Sequence, residues 1–185
     1  MNVEPGPGTA EPVVPEPDAK DWTFVITGGC PECGFAPFDP AETATRLRAS
    51  IPRWGQVLAR PGVRTRPEPG VWSALEYGCH VRDVCELFAR RLRAMLDADP
   101  AEGARFADWD QNATALEKRY WEDDPSRVAD DYARLAERLA GQWDAVGGEQ
   151  WQRHGLRSNG SQFTVATLGV YVIHDIEHHL HDVGA

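Results

Sequence analysis

The sequence predicts an all-α protein built as a four-helix bundle, and two observations lead to this prediction. Four segments have the length of long helices and begin with residues that typically cap helix N-termini. Only one stretch between them, around Ser158-Asn159-Gly160, carries a turn signal that would close a short hairpin. Long helices with little strand content bury their apolar faces against one another, which favours a bundle.

The chain divides into three parts. Residues 1–20 are rich in proline and have no periodic apolar pattern, so we expect a disordered tail. Residues 21–38 form a short N-terminal segment that contains a CxxC motif. Residues 39–185 hold all four predicted helices and therefore form the bundle domain.

The first two predicted helices have clear start signals. The first begins after the cap Asp39, runs to about Arg60, and should be kinked by Pro52. The second opens with Ser73-Ala74-Leu75-Glu76, in which the serine and the glutamate form a capping box. It should end near Asp97.

The other two helices close the domain. The third follows Asp124-Pro125-Ser126 and is ended by Gly147-Gly148. The fourth begins after Thr164 and reaches Val183. An acidic, aromatic connection between the second and third helices runs from residue 106 to residue 121.

Composition excludes several classes of function. A formal net charge of -10, with no basic stripe, argues against a nucleic-acid partner. No apolar run approaches the ~20 residues that a membrane span needs, so we expect no membrane partner. We see no signal peptide and interpret the four cysteines as reduced thiols, which together predict a cytoplasmic protein.

The fourth helix carries a dense group of histidines and carboxylates. At about 100° per residue, an apolar stripe lies on one face. Asp175 and His179 lie on the flank of this stripe, whereas His174, His178 and His181 fall on the opposite face, which we expect to be solvated. The stripe consists of Val165, Leu168, Val172, Ile176, Leu180 and Val183.

A divalent ion normally needs a third protein ligand, and the second helix offers His80 at the edge of its apolar stripe. Two nitrogens and one carboxylate oxygen, with open positions, make up a catalytic rather than a structural metal site. The alternatives are a hydrogen-bonded core histidine at His80 and a histidine cluster that only complements the helix dipole. His174 and His178, also spaced i, i+4, are the second candidate pair.

Two motifs in these helices resemble those of a known family. They read Trp72-Ser73-Ala74-Leu75-Glu76-Tyr77-Gly78-Cys79-His80-Val81-Arg82-Asp83-Val84 and His178-His179 followed by Asp182-Val183. The combination resembles the DinB superfamily, which includes thiol S-transferases and mycothiol-dependent maleylpyruvate isomerases. The resemblance covers roughly residues 39–183 and implies a four-helix bundle with a long crossover connection.

The resemblance also implies the ligands. In many members the fourth helix reads His-x-x-His-His, with the first and last residues as ligands. This register selects Asp175 and His179, and a histidine of the second helix, here His80, completes the set. The isomerase branch has an acidic residue at the first position and an Asp-aliphatic pair like Asp182-Val183. Asp175 is shorter than the glutamate or histidine usual there.

The implied function is a metal-dependent thiol S-transferase-like activity. A bound divalent ion, with zinc or nickel as the expectation, would deprotonate a low-molecular-weight thiol such as mycothiol. The thiol would then attack a small electrophile or assist an isomerisation. We expect the pocket wall to come from Trp109, Asp110, Asn112, Tyr120 and Trp121, and the resemblance implies that two copies can pair through a bundle face.

Two other functions are consistent with the same sequence. The bundle could bind a small ligand or metal without turnover, as a stress-response protein. It could also be a tailoring enzyme of specialised metabolism. An open coordination site beneath a polar, aromatic-lined pocket would favour an enzyme, and a closed site would favour a binding protein.

The CxxC motif of Cys30 and Cys33 looks like half of a zinc ribbon. We find no second half, because Cys79 and Cys85 lie on a helix with unsuitable spacing, where they are most simply packing residues. A redox pair is one alternative, preceded by the strand-like run of residues 22–26. A structural turn that carries two thiols is the interpretation we prefer.

Overall fold

The fold is described by a computed structural model of residues 12–17 and 20–185. In this part of the chain the helices are α1 (Val25–Gly28), α2 (Thr43–Leu58), α3 (Ala74–Asp97), α4 (Gln111–Glu117), α5 (Pro125–Asp144) and α6 (Val165–Asp182). The strands are β1 (Ala104–Phe106), β2 (His154–Arg157) and β3 (Gln162–Thr164). Short 3₁₀ turns lie at Trp22–Phe24, Pro40–Glu42, Tyr120–Glu122 and Gly148–Gln152.

The helices α3, α5 and α6 begin where the sequence predicts. For the first long helix, Asp39 caps a 3₁₀ turn (Pro40–Glu42), and α2 itself begins at Thr43. The capping box of α3 is formed, since Glu76 N–H donates to Ser73 Oγ at 3.3 Å and Glu76 Oε2 accepts from Ser73 N–H at 2.8 Å. The helix α5 begins after the cap Asp124, and α6 begins after the cap Thr164. The helix α2 continues through Pro52 as far as Leu58.

Each long helix of the bundle packs mainly against two others. The helix α5 packs against α2 and α3, and α6 packs against the same two helices. The chain is mostly helical, but a three-stranded sheet is present, so all-α describes it only approximately. Within the described residues, no helix is long and apolar enough to cross a bilayer.

The small sheet sets how α3 and α6 meet. The strand β1 follows α3 and pairs in parallel with β2, with Ala104 opposite Gly155. The hairpin of β2 and β3 turns at the predicted site, where Gly160 has φ +95°, and β3 leads directly into α6. The sheet therefore joins the end of α3 to the start of α6. The two helices run antiparallel, and the first turns of α3 lie beside the last turns of α6.

The N-terminal segment differs from the sequence prediction at residues 22–26. We predicted a strand-like run, but these residues form a 3₁₀ turn and the start of α1. Asp21 caps the turn by accepting from Thr23 N–H at 3.0 Å, and no strand pairs with this run. The segment packs on α6 through α1, and Val25 is fully buried in the main core.

Of the predicted tail, residues 1–11 and 18–19 lie outside the described part of the chain. Residues 12–17 contact the bundle at two of their carbonyl groups. Arg66 donates to the carbonyl of Val13, and the Asn112 side chain donates to that of Pro15 at 3.1 Å. Val13 and Pro15 therefore contact the bundle, and the disorder of residues 1–20 stays a prediction.

A buried carboxylate attaches the long connection to α3. Asp83 accepts from Lys118 at 2.8 Å, from Tyr120 Oη, and from Arg82 at 3.0 Å. Burial alone would raise the pKa of Asp83, yet these three donors hold it below its usual value. Asp83 contacts neither His80 nor α6 through a hydrogen bond, so its role is to hold the connection rather than to orient a metal ligand.

A substitution at Gly169 of α6 tests how closely α6 approaches α2 and α5. A Cβ at this position would lie 2.6 Å from Thr43 Oγ1 and 2.9 Å from Trp143 Nε1, both on buried side chains. We expect Gly169→Ala to lower the free energy of unfolding by about 1–2 kcal/mol, because overpacking outweighs the gain in helix propensity. Urea denaturation measures this change.

Gly141 of α5 is the matched control, since a Cβ there meets nothing within 4 Å. Gly141→Ala should raise the free energy of unfolding by up to about 1 kcal/mol. Equal effects of the two substitutions would contradict the close approach of α6 to α2 and α5.

Asp83→Asn tests the buried network. We expect it to lower the free energy of unfolding by about 2 kcal/mol near neutral pH, because the charged hydrogen bonds from Lys118 and Arg82 to this carboxylate are lost, although Arg82 keeps its ion pair with Asp123. The pKa of Asp83 is depressed in the folded state, so its contribution is present above the unfolded pKa of ~3.9 and is lost as the pH falls through the folded pKa. Urea denaturation of both proteins at several pH values should show a constant difference from pH 5 to 8 that closes in acid. A difference that persists in acid would exclude the carboxylate as its source.

Candidate metal centre

Three side chains from two helices meet at one point, and they are the three that the sequence selects. His80 Nε2 lies 3.1 Å from Asp175 Oδ1, and His179 Nε2 lies 3.3 Å from the same oxygen. One ligand atom from each of the three residues falls within 4.8 Å of the other two. A single carboxylate oxygen therefore lies between two imidazole nitrogens.

The helical phase of α6 explains this convergence. Val165, Leu168, Val172, Ile176 and Leu180 are all fully buried, which confirms this part of the predicted stripe. Asp175 and His179 are spaced i, i+4 on the flank of the stripe, so both point toward α3. His80 lies in the second turn of α3, which the antiparallel packing brings beside the last turns of α6.

Neighbouring groups fix the orientation of both imidazole rings. The ring of His80 stacks on Trp109 with centroids 5.2 Å apart and an interplanar angle of 9°. His179 places its other nitrogen, Nδ1, 2.8 Å from Asp182 Oδ2, and its ring lies 4.8 Å from that of Tyr77. A carboxylate behind a histidine in this way is the usual outer partner of a metal ligand.

The protonation states follow from burial and hydrogen bonding in the metal-free protein. Burial favours neutral forms, but hydrogen bonds from His179 and His80 hold the pKa of Asp175 well below its usual range. Desolvation of the partly buried His179 opposes its charge, yet its bonds to Asp175 and Asp182 raise its pKa to about 9. Burial lowers the pKa of His80, which is therefore neutral. At neutral pH the group consists of a carboxylate, an imidazolium and an imidazole.

This donor set fits a divalent ion. Tetrahedral ligands with metal–nitrogen and metal–oxygen bonds of ~2.0–2.2 Å lie about 3.3–3.5 Å apart. The two nitrogen–oxygen distances of 3.1 and 3.3 Å are already close to that spacing. An ion would take the place of the proton on His179 and would leave open coordination positions, because only three protein ligands are present in this group.

A cavity of about 310 Å³ opens beside these residues, the size of a small-ligand site. Asp175 and His179 form part of its wall, whereas His80 lies behind them, 1% exposed. The cavity is lined by Pro15, Glu16, Trp22, Gly70, Val71, Trp72, Tyr77, Gln111, Asn112, Tyr171, His174, Asp175, His178, His179 and Asp182.

The five residues predicted to line the pocket are distributed differently. Asn112 lies in the cavity wall, and Trp109 backs His80 without lining the cavity. Asp110 caps α4 by accepting from Ala113 N–H at 2.9 Å. Tyr120 is fully buried against Asp83, and Trp121 lies outside the cavity with its indole N–H buried. Tyr120 lies in the second core cluster because the connection folds down onto α3.

Sequence reasoning missed four aromatic residues of the wall. Tyr77 lies one turn before His80 and Tyr171 one turn before Asp175, so helical spacing from the predicted ligands would have found both. Trp72 precedes the cap of α3, and its ring lies 5.4 Å from that of His80. Trp22 belongs to the N-terminal segment, and no pattern in the sequence connects it with this site.

The second candidate pair, His174 and His178, does not join His80. We predicted that these residues face solvent, but His174 is only 4% exposed and the side chain of His178 is 12% exposed. Residues 21–38 cover this face of α6 and place Cys30 and Cys33 beside the two histidines. His181, with its side chain 58% exposed, faces solvent as predicted.

Comparison with known proteins agrees with the fold. A sequence profile of the DinB superfamily matches residues 61–183. No curated protein matches the chain significantly. Among solved structures, the chain is similar to YfiT from Bacillus subtilis, described as a probable metal-dependent hydrolase with an unusual four-helix bundle topology. The TM-score is 0.67 with 17% identity, over 78% of this chain and 85% of YfiT. The family match covers about two thirds of the sequence, and this chain belongs to the DinB superfamily.

Proposed function

We propose that this protein is a metal-dependent enzyme in which His80, Asp175 and His179 hold a divalent ion at the wall of the cavity. The observation that carries the proposal is the convergence of three ligand atoms within 4.8 Å, two of them on residues that line the cavity. Three protein ligands with open positions are typical of catalytic ions, whereas structural ions are usually enclosed by four.

The ion would supply Lewis acidity, which lowers the pKa of a bound thiol or water molecule enough to create a nucleophile at neutral pH. The protein's own residues orient this chemistry. Asp182 holds the His179 ring, and Trp109 holds the His80 ring, so both Nε2 atoms point at Asp175. The aromatic rings of Trp72 and Tyr77 line the cavity beside the ligands.

A low-molecular-weight thiol, with mycothiol as the leading example, is our proposed nucleophile. Support comes from the acidic ligand Asp175 and the pair Asp182-Val183, which resemble the isomerase branch of the family. In the proposed reaction the thiol releases its proton to solvent and its sulfur bonds to the electrophilic carbon, while the bond from that carbon to the leaving group breaks and the leaving group takes the electron pair. With an epoxide, the leaving oxygen stays attached to the product and takes up a proton from solvent. For an isomerisation the thiol would leave again at the end.

Hydrolysis is the second candidate, because YfiT is described as a probable metal-dependent hydrolase and shares the fold. The same open positions would then accept water, and the cavity would hold an ester or amide. The cavity volume of about 310 Å³ accommodates a small substrate of either kind.

The test uses full-length, tag-free protein loaded with zinc or nickel. We expect His80→Ala and His179→Ala each to lose one equivalent of metal and to reduce turnover by ~100-fold or more, since even outer partners of metal ligands are worth 10–100-fold. His181→Ala is the matched control, because His181 is an exposed histidine on the same helix. It should retain both metal and turnover.

The assay distinguishes a thiol nucleophile from a water nucleophile. Mass spectrometry would follow conjugates of mycothiol, cysteine and coenzyme A with alkyl halide and epoxide electrophiles, and ester and amide cleavage would be followed without thiol. Conjugates that form only with thiol and metal support transfer, and cleavage without thiol supports hydrolysis. Unchanged metal content in His179→Ala, or no turnover of either kind by the loaded wild type, would contradict the proposal and favour a binding protein.

A further inference from the structure

A second group of ligand side chains lies beside the first, and it joins two distant parts of the chain. Cys30 and Cys33 come from the N-terminal segment, and His174 and His178 come from α6. One ligand atom from each of the four falls within 4.8 Å of the other three. Cys30 Sγ lies 3.7 Å from His178 Nδ1.

The turn that carries the cysteines is held by backbone hydrogen bonds. Cys30 N–H donates to the carbonyl of Phe35 at 2.8 Å, and Gly34 N–H donates to the carbonyl of Cys30 at 2.9 Å. Gly34 has φ +75°, which favours glycine. Gly29 has φ +71°, and a Cβ there would lie 2.6 Å from the Phe35 carbonyl oxygen. This turn keeps both sulfurs near α6 and separates them by two residues, the spacing of a zinc knuckle.

The histidines that complete the group are buried or nearly so. His174 and His178 are spaced i, i+4, so they lie on one face of α6. The ring of Trp22 lies 5.4 Å from His174 and 4.9 Å from His178, and Phe35 covers His174 from another side at 5.1 Å. Among the described residues, His174 Nε2 is buried and has no hydrogen-bond partner, an arrangement that is costly unless something binds it.

We propose that Cys30, Cys33, His174 and His178 form a second, structural metal site that takes zinc or a similarly thiophilic divalent ion. Zinc prefers donor sets such as two thiolates and two imidazoles, and these four ligands fill its tetrahedral coordination sphere. With bonds of ~2.3 Å to sulfur and ~2.0–2.1 Å to nitrogen, neighbouring ligands lie about 3.3–3.8 Å apart. No pair in the group would need to close by more than about 1.5 Å on binding, and the 3.7 Å sulfur–nitrogen distance already matches.

This ion would have a structural role, whereas the ion proposed at His80 would have a catalytic one. It shares no protein ligand with that site, and it has no open position for a substrate. It would attach residues 20–38 to α6, across a face that the apolar stripe does not use. Trp22 would thereby be held in the cavity wall, next to Asp175 and His179. The inference goes beyond the proposed function and does not depend on it.

The test isolates this site by starting from His179→Ala, which disables the other one. We expect full-length, tag-free His179→Ala to bind one equivalent of zinc, and its cobalt form to show a thiolate-to-cobalt charge-transfer band. A second substitution in this protein, either Cys30→Ser or His178→Ala, should abolish the binding of that zinc. Cys30→Ser should also weaken the charge-transfer band of the cobalt form. Adding Cys79→Ser is the matched control, since Cys79 is a buried thiol outside the group.

Limited proteolysis provides a readout that does not require a folded cysteine variant. In the His179→Ala protein, chelation should increase cleavage within residues 20–38 by at least ~10-fold, and added zinc should reverse it. The proposal is overturned if His179→Ala takes up no zinc, if zinc survives Cys30→Ser, or if a Cys30–Cys33 disulfide forms under reducing conditions in place of metal binding. Loss of zinc from the Cys79→Ser control would equally contradict the assignment.

Discussion

The two hydrogen bonds that Asp175 accepts are the constraint on which the site depends. Asp175 is a partly buried carboxylate on the flank of α6, and His80 and His179, which both point at it, stabilise its charge there. This requires α3 and α6 to run antiparallel with the second turn of one beside the last turns of the other. The sheet sets that register, because β1 follows α3 and β3 leads into α6. The packing of α3 against α6 therefore determines the site, and a shift of one helical turn between these two helices would separate the three side chains.

Helix positions and the convergence of His80, Asp175 and His179 could be predicted because their signals are local. The capping box at Ser73 and the cap Asp124 give the helix starts, and a regular apolar stripe gives the inward face of α6. The spacing of Asp175 and His179 relative to that stripe placed both toward α3. The family register reached the same pair by a separate route. The pocket wall was predicted less well, since Tyr120 binds Asp83 in the interior and only Asn112 of the five lines the cavity.

Long-range contacts account for most of what the sequence did not reveal. His174 and His178 lie opposite the apolar stripe, and helical phase alone assigns such residues to solvent. Their burial comes from a segment more than 130 residues earlier in the chain, through Cys30 and its 3.7 Å approach to His178. Neither half of this group is complete by itself. The CxxC motif had no visible partner because its partner was interpreted as a solvated helix face.

The most direct test of the account is a crystal structure of the zinc-loaded, full-length protein with anomalous scattering data at the zinc edge. We predict a peak bonded to His80 Nε2, an Asp175 oxygen and His179 Nε2, with at least one coordination position open to the cavity. The same map would show whether Cys30 and His178 share a second ion. Absence of a peak between His80 and Asp175 after loading, or a peak closed off by a fourth protein ligand, would contradict a catalytic metal at this site.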